Sequence, residues 1–389
     1  MKPLLTYLVI ALSSSSALSA LAQQAASHAV IEGVSVTEIR PESLVQSNQK
    51  QGIAPTAPVP CVAQTVSFPA GSSWQLCVKA VEKYGLIITN ASFKKSPTAI
   101  AISVLSDGRL GEIFVPYHPG QPRFGDISQF SFLPLTLSTA DCPFPGVRVD
   151  GGLICREILD NGIAWKVDTR VRRGREARYW AVLDAANYNY IMEWSFRDDG
   201  AIVVRAGSTG PKLGGATDAS GHMHDFTWRL DIDLNGPGGD SAHLTKHTES
   251  KAAFGATDTA SLITTESGLV WNALAFNTLE ITDSLLTNGN GRRTSYELVP
   301  LRTGTARHFE SFLNRDFWVT RFSGKELLAN SLPSYVNGQS TVNTDNVIWY
   351  TGSAHHESNM RDEDRQTVPV LWTGFMLVPH NLFEGTPFF

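Results

Sequence analysis

The sequence predicts an all-β protein, a large two-sheet β-sandwich, and three observations support this. A chain of 389 residues with 42% hydrophobic and 10% aromatic residues can bury a large core. Helical periodicity is scarce, and the stretch KHTESKAAFG is at best a short helix. Short apolar runs bounded by Gly, Pro, Asn and Asp follow one another from Cys61 almost to the C-terminus, among them GLIITNAS, EIFVPY, GAIVVRAG, FTWRLDID, DFWVTRF, NVIWYTG and VLWTGFMLVP.

The N-terminus carries the pattern of an export signal. Lys2 supplies the positive end, residues 4–12 form a short apolar stretch, and residues 20–22 (Ala-Leu-Ala) match the small residues that signal peptidases accept. A membrane span needs roughly 20 apolar residues, so we expect none. The predicted order is a signal peptide over 1–22, a tether or arm over 23–60 and the sandwich over 61–389. We expect the mature protein to be secreted or periplasmic.

Cysteine usage and charge agree with this compartment. Four cysteines, an even number, are more often paired than free in an exported chain. The formal net charge is −5, and no run of basic residues is long enough to form a nucleic-acid or anionic-membrane surface. We therefore expect a small-molecule partner and no nucleic acid.

The stretch NYNYIMEWSFRDDGAIVVRAG predicts a β-hairpin with its turn at Asp199-Gly200. Side chains alternate across a strand, so every second residue of the first strand shares one face. The predicted inward face carries Tyr188, Tyr190, Met192, Trp194 and Phe196. Because Tyr188 points inward, it is either ordinary core packing or a residue that the protein modifies.

A second strand, within GHMHDFTWRLDIDLNG, carries two histidines on one face. His222 and His224 are in line with a buried aromatic row, and Asp231 and Asp233 fall on the opposite face. Two imidazoles on one face can share a metal ion, or they can be hydrogen-bonded core histidines. A third ligand could come from His355 or His356 after NVIWYTG, or from the HLTKH segment (residues 243–247), whose surroundings look like a solvated loop or helix.

In combination, these motifs resemble the catalytic domain of the copper amine oxidases. The resemblance covers roughly residues 74–389. It rests on the shared order of the Asn-Tyr-x-Tyr strand, the HxH pair, RLDID, a late aspartate eleven residues before a histidine, and the motifs GLIITN, GEIFVPY, ILDNGIAWK, ARHFE, DFWVTR and GFMLVPHNLFEGTPF. In that family a tyrosine is oxidised by bound copper and dioxygen to topaquinone, the built-in redox cofactor.

The resemblance implies a role for each matching position. Tyr188 is the expected topaquinone precursor and Asn187 the asparagine before it. His222, His224 and His356 are the expected Cu(II) ligands, and the eleven-residue step from Asp345 favours His356 over His355.

The resemblance also implies a second, structural metal and a disulfide. Asp231, Asp233 and Asp345 would be its oxygen ligands, for calcium or a similar hard cation. Cys142 and Cys155 match the family disulfide, which leaves Cys61 and Cys77 as a second candidate pair.

Two roles depend on a segment that departs from the family pattern. Tyr117, in the VPY motif, matches a tyrosine that hydrogen-bonds the quinone, and Asp126 is the candidate for the catalytic base. The segment from Tyr117 to Cys142 is shorter than in the family, so an ungapped match would put Ser131 at the base position. The other interpretation of Asp126 is an ordinary turn aspartate.

By resemblance, the expected activity is the oxidation of primary amines with O2 and water to aldehyde, ammonia and hydrogen peroxide, performed by a homodimer. The small α/β domains that usually precede the sandwich have no counterpart in the predicted order. Two alternatives remain open. The chain could perform an altered, biosynthetic oxidation, or it could be a non-catalytic copper-binding sandwich in which Tyr188 stays unmodified.

Overall fold

The computed structural model describes residues 34–39, 60–117, 122–210, 221–250, 255–272, 275–301, 306–356 and 369–385. The predicted signal peptide lies outside the described residues, as does most of the predicted tether. In the described part of the chain, no helix has both the length and the apolar character needed to cross a membrane.

Two large antiparallel sheets make up the described structure. The strands of the first sheet are β1 (Ser35–Ile39), β2 (Val62–Ser67), β3 (Ser73–Val81), β4 (Gly85–Lys94), β5 (Ile102–Pro116), β6 (Arg123–Gly125), β13 (His222–Asp231), β16 (Ser267–Leu269), β19 (Phe317–Arg321) and β20 (Asn346–His356). Their order is β1-β2-β3-β4-β5-β13-β20-β19-β16, with β6 paired to β5.

The second sheet contains β7 (Leu133–Pro134), β8 (Val147–Val149), β9 (Ile154–Val167), β10 (Arg170–Ala185), β11 (Tyr188–Arg197), β12 (Ile202–Thr209), β14 (Asp240–Ser250), β15 (Gly255–Leu262), β17 (Phe276–Thr287), β18 (Arg293–Pro300) and β21 (Leu371–His380). Its order is β15-β14-β17-β18-β21-β12-β11-β10-β9-β8, with β7 paired to β10. The helices are single turns: α1 (Asp126–Gln129), α2 (Leu332–Tyr335) and two 3-10 turns at Asp150–Gly152 and Ala329–Ser331.

The main core lies between the two sheets and is rich in aromatic residues. Trp74 of β3 contacts Phe196 of β11 with ring centroids 5.2 Å apart, so the inward faces of the sheets interdigitate. The alternation predicted for β11 is confirmed, because all five residues of its predicted inward face are buried. The all-β sandwich prediction is therefore correct.

Strand β13 is near the middle of the first sheet, hydrogen-bonded to β5 on one side and β20 on the other. Both of its faces are buried. On the face opposite the histidines, Asp225 accepts a hydrogen bond from Ser353 Oγ at 2.5 Å and lies 2.8 Å from His308 Nε2. The segment that carries His308 continues into a second apolar cluster, which buries Phe312 and Leu313 against Trp349 of β20.

One local expectation needs correction. Residues 246–250 of KHTESKAAFG form the end of strand β14, because they pair with β15 and β17, so the suggested short helix is wrong there. His243 and His247 accordingly lie on a strand. Ser35–Ile39, inside the segment predicted to be a tether or arm, forms an edge strand against β2.

Both candidate disulfides are present. Cys61 bonds to Cys77 and Cys142 to Cys155, each pair with Cα atoms 5.7 Å apart. The first pair joins the start of β2 to β3, and the second joins the loop before β8 to β9. Because each disulfide closes a short loop, the two bridges stabilise local strand ends. The packing of one sheet on the other depends on the hydrophobic core.

Candidate active site

Three histidines meet in the core because of the pairing register of β13 and β20. His222 is directly opposite His356 in that register, and His224 follows two residues later on the same face. One ring nitrogen of each of the three lies within 4.8 Å of those of the other two, and all three side chains are buried. Nδ1 of His356 is 3.2 Å from Nε2 of His222.

His224 provides the test of whether these residues suit a metal ion. It is 0% exposed, and neither of its ring nitrogens has a hydrogen-bond partner among the described residues. Burial holds the pKa of His224 well below its usual range, and His222 and His356 lower it further. A buried neutral imidazole without a hydrogen bond is costly unless a metal ion accepts its lone pair. The donor set therefore fits copper, and the hydrogen-bonded core interpretation fails for His224.

Tyr188 adjoins the three histidines at the start of β11. Its hydroxyl is 3.1 Å from Nε2 of His222, and its ring centroid is 4.7 Å from that of His224. The hydroxyl is also 2.9 Å from that of Tyr117. Burial raises the pKa of the Tyr188 phenol, Tyr117 raises it further, and a hydrogen bond from Asn187 opposes the rise. The phenol is therefore neutral and held by neighbours on several sides.

Asp126 is the first residue of α1 and is 7% exposed. Its Oδ2 accepts a 2.5 Å hydrogen bond from the Tyr190 hydroxyl. Burial raises the pKa of Asp126 to about 7, the Glu112 carboxylate adds to the rise, and the bond from Tyr190 opposes it. A buried carboxyl that titrates near neutral pH suits a general base better than a turn aspartate. Ser131, the ungapped alternative, is exposed.

Asp126 and Tyr188 face the same cavity of about 250 Å³. Its other lining residues are mostly apolar or aromatic: Val115, Tyr117, Phe124, Phe130, Phe132, Ala185, Ala186 and Asn187. A volume of this size suits a small ligand or the reacting end of a longer one. The candidate base, the candidate cofactor ring and a space for substrate are thus contiguous.

The three aspartates form a second cluster at the end of β13, where Asp231 is the last residue of the strand and faces away from the histidines. One carboxylate oxygen from each of Asp231, Asp233 and Asp345 lies within 4.8 Å of the others. Oδ1 of each lacks a hydrogen-bond partner among the described residues. Burial raises the pKa of Asp233 to about 6, and the neighbouring Asp345 adds to the rise. Three converging carboxylates with unused oxygens fit a hard cation.

Two residues of the site received no role from the sequence. Tyr190 shares the inward face with Tyr188, and strand alternation could have indicated that it also points toward the site, where it contacts Asp126. Glu112 is buried in the apolar run GEIFVPY, and its carboxylate accepts hydrogen bonds from the backbone around α1. A single acid inside the otherwise apolar run GEIFVPY was the available signal for Glu112.

Comparison with known proteins gives the same family as the motifs. Residues 153–389 match the family described as the copper amine oxidase enzyme domain. The copper-containing amine oxidase gamma 2 of Arabidopsis thaliana is 26% identical over 402 residues, which cover 81% of this chain and 58% of that protein. The primary amine oxidase of Arthrobacter sp. (strain P1) is 25% identical over 392 residues, which cover 81% of this chain and 59% of that protein. The chain thus spans less than two thirds of these relatives.

Solved structures agree on the fold. The copper-containing benzylamine oxidase from Hansenula polymorpha superposes with a TM-score of 0.70 at 18% identity, covering 90% of this chain and 65% of that one. The amine oxidase of Aspergillus nidulans gives a TM-score of 0.67 at 18% identity, with 83% and 52% covered. The family match extends over more than half of the sequence and includes Tyr188 and the three histidines, so this chain belongs to the copper amine oxidase family.

Proposed function

We propose that the protein is a copper- and topaquinone-dependent oxidase that converts primary amines, with O2 and water, to aldehyde, ammonia and hydrogen peroxide. The observation that carries the proposal is the convergence of three buried imidazoles beside one phenol, with 3.1 Å between the Tyr188 hydroxyl and His222 Nε2. Family membership and the amine oxidase relatives support the same reaction.

His222, His224 and His356 would hold the copper, because neutral imidazoles suit Cu(II) and neither ring nitrogen of His224 has a hydrogen-bond partner in the described structure. Bound copper and dioxygen would supply the oxidation of the Tyr188 ring to topaquinone, whose carbonyl can condense with an amine. The chain itself contributes geometry and electrostatics. The His224 imidazole stays unprotonated because burial lowers its pKa.

Tyr117 and Asn187 would orient the cofactor ring. The hydroxyls of Tyr117 and Tyr188 lie 2.9 Å apart, and Asn187 forms a side-chain hydrogen bond with Tyr188. Ala186, just before Asn187, has a positive φ of 61°, and a Cβ at Gly210 would lie only 2.2 Å from the Asn187 carbonyl oxygen. This close backbone packing restricts the segment that presents the ring to the cavity.

Asp126 would be the general base that removes a proton from the substrate carbon next to nitrogen. Tyr190 occupies Oδ2, which leaves Oδ1 to accept that proton. A pKa of about 7 makes Asp126 a stronger base than an ordinary carboxylate while about half of it remains ionised at neutral pH. The apolar cavity walls favour substrates with an apolar group beside the amine.

The remaining features belong to the same proposal. Asp231, Asp233 and Asp345 would hold calcium or a similar hard cation with a structural role. Residues 1–22 would direct export, so the protein would act outside the cytoplasm, in agreement with its two disulfides. We also propose that it works as a homodimer, by resemblance to the family.

A second candidate keeps the copper and the quinone but performs an altered, biosynthetic oxidation. The observation that favours it is the shortened segment after Tyr117, in which the candidate base Asp126 is on a single helical turn. A third candidate is a copper-binding protein in which Tyr188 stays unmodified. The three differ in whether the ring is oxidised and in whether amines release peroxide.

The test is aerobic copper loading of the metal-free protein. Mass spectrometry of the peptide that contains Tyr188, visible absorbance and peroxide release on addition of primary amines are then measured. We expect an oxidised ring and amine-dependent peroxide. The matched control is Tyr188→Phe, which should bind copper and show neither signal. An unmodified Tyr188 would refute the oxidase proposal, and an oxidised ring without peroxide would favour the altered oxidation.

A further inference from the structure

Glu112 of β5 is fully buried and makes an unusual set of contacts. Its Oε1 accepts backbone N–H hydrogen bonds from Ile127 at 2.8 Å, from Ser128 at 3.2 Å and from Ile113 at 3.0 Å. Two of these donors belong to α1, the turn that begins with Asp126. One carboxylate thus links the central strand β5 to the backbone on the C-terminal side of Asp126.

The turn has no side-chain cap of its own. Its N-cap is Gly125, and the first N–H groups of a helix need an acceptor when they are buried. A side chain there would displace its neighbours, because a Cβ at Gly125 would lie 2.5 Å from Ser128 Oγ and 3.0 Å from Glu112 Oε2. Glu112 therefore takes the position of the missing capping group.

A helix of four residues is not stable by its own hydrogen bonds. Its position must come from tertiary contacts, which here are Ile127 in the main core, the paired strand β6 before it, and Glu112. The Asp126 carboxylate can meet Tyr190 only while this turn stays against β5. The contact between Glu112 and this turn therefore orients the side chain of Asp126, the candidate base.

We propose that Glu112 is the positioning residue of the base: it fixes the turn that carries Asp126 and supplies a negative charge beside it. This inference rests on the proposed function of Asp126. Glu112 itself does not line the cavity, so its expected effect on the substrate is through Asp126.

The charge of Glu112 has a direct consequence for proton transfer. Among the described residues, the titratable groups that face Asp126 are Glu112 on β5, Tyr117 just after β5, and Tyr188 and Tyr190 on β11, and Glu112 is the carboxylate among them. Burial raises the pKa of Glu112, and the hydrogen bonds from Ser128, Ile127 and Ile113 oppose that rise. An ionised Glu112 disfavours the ionised form of Asp126, so it makes Asp126 a stronger base.

Two substitutions separate position from charge. Glu112→Gln keeps an oxygen acceptor for the turn and removes the charge, whereas Glu112→Ala removes both. For Glu112→Gln we expect kcat within a few-fold of the wild type and a shift of the acidic limb of the kcat/KM profile to lower pH by about one unit. For Glu112→Ala we expect kcat per quinone to fall by about 10²-fold, with copper and quinone content retained.

Glu266 provides the matched control. It is also buried, and its carboxylate accepts backbone N–H bonds from Arg321, Asn337 and Gln339, none of which line the cavity. Glu266→Ala should lower the thermal midpoint of unfolding and leave kcat per quinone and the pH profile unchanged.

Amide hydrogen exchange gives a readout that needs neither copper nor turnover. In metal-free protein, Glu112→Ala should speed exchange at Ile127 and Ser128 by at least about tenfold, and Glu112→Gln should speed it less. Unchanged exchange at both amides would overturn the anchoring. Unchanged kcat and pH profile in both variants, with quinone present, would overturn the positioning role. If the wild type forms no quinone, the proposed function fails while the exchange result still decides the anchoring.

Discussion

Tyr190 lies two residues after Tyr188 on the same face of β11, and its hydroxyl donates a 2.5 Å hydrogen bond to Oδ2 of Asp126. One strand therefore presents the candidate cofactor ring and also orients the candidate base. Because the bond favours the ionised form of the carboxyl, it offsets part of the effect of burial on the pKa of Asp126.

Removal of this hydroxyl should change the pH dependence of the enzyme. In Tyr190→Phe the pKa of Asp126 should rise above about 7, by about one unit, because a bond to its ionised form is lost. The base works only when it is deprotonated, so activity should fall most below neutral pH and recover as pH rises. The acidic limb of kcat/KM against pH measures this. If the acidic limb of the Tyr190→Phe profile stays at the wild-type pH, Tyr190 does not influence the pKa of Asp126.

Replacement of the base itself should separate cofactor formation from amine oxidation. Asp126→Asn keeps the size of the side chain and removes its basicity, so amine turnover should drop by about 10²- to 10⁴-fold while the ring of Tyr188 is still oxidised. Stopped-flow reduction of the quinone by amine measures the step. Ser131→Ala is the control and should react at the wild-type rate. Near-normal rates for Asp126→Asn would mean that the base lies elsewhere.

The third copper ligand can be assigned by comparing two adjacent histidines. His356 is buried opposite His222, whereas His355 is exposed and lies outside the cluster of three. His356→Ala should therefore lose most of the copper at stoichiometric loading, and His355→Ala should keep it. Metal analysis after gel filtration measures the difference. The reverse ranking would move the third ligand by one residue.

The aspartate cluster should bind a hard cation that stabilises the fold. Asp231, Asp233 and Asp345 bring three partly unsatisfied carboxylates together, and without a cation their charges repel. Calcium at a hundred times its Kd should add about 2.7 kcal/mol to the free energy of unfolding. Thermal unfolding with calcium and with a chelator measures the effect, and Asp345→Asn should reduce it. Equal midpoints in calcium and chelator would exclude the site.

The aromatic wall of the cavity should determine how well substrates bind. Phe130 stacks on Phe132 with ring centroids 5.4 Å apart, and both line the cavity beside Asp126. Phe130→Ala should raise KM for an arylalkylamine by about 5- to 10-fold, because an aromatic contact contributes about 1 kcal/mol, and should change KM for methylamine less. Steady-state kinetics on both amines tests this. An equal change for both would assign Phe130 a structural role only.

Strand alternation predicted which side chains of the candidate site share a strand face. The inward face of β11 and the alternation of histidines and aspartates on β13 follow from a period of two. Alternation could not predict that both faces of β13 are buried, because the covering residues, among them His308 against Asp225, come from a segment about eighty positions away. It also gave no indication that residues 246–250 join a strand, since their polar composition suits several local structures.

The sequence by itself determined which side chains share a strand face, because that depends only on the pleat of an extended backbone. With the family motifs, this was enough to predict that Tyr188, His222 and His224 lie together in the candidate site. The tertiary structure decided the rest: the register that puts His356 opposite His222, and the contact of α1 with Glu112 that turns Asp126 toward Tyr190. These pairings join residues far apart in the chain, and their geometry comes from sheet packing and burial, which no local pattern encodes.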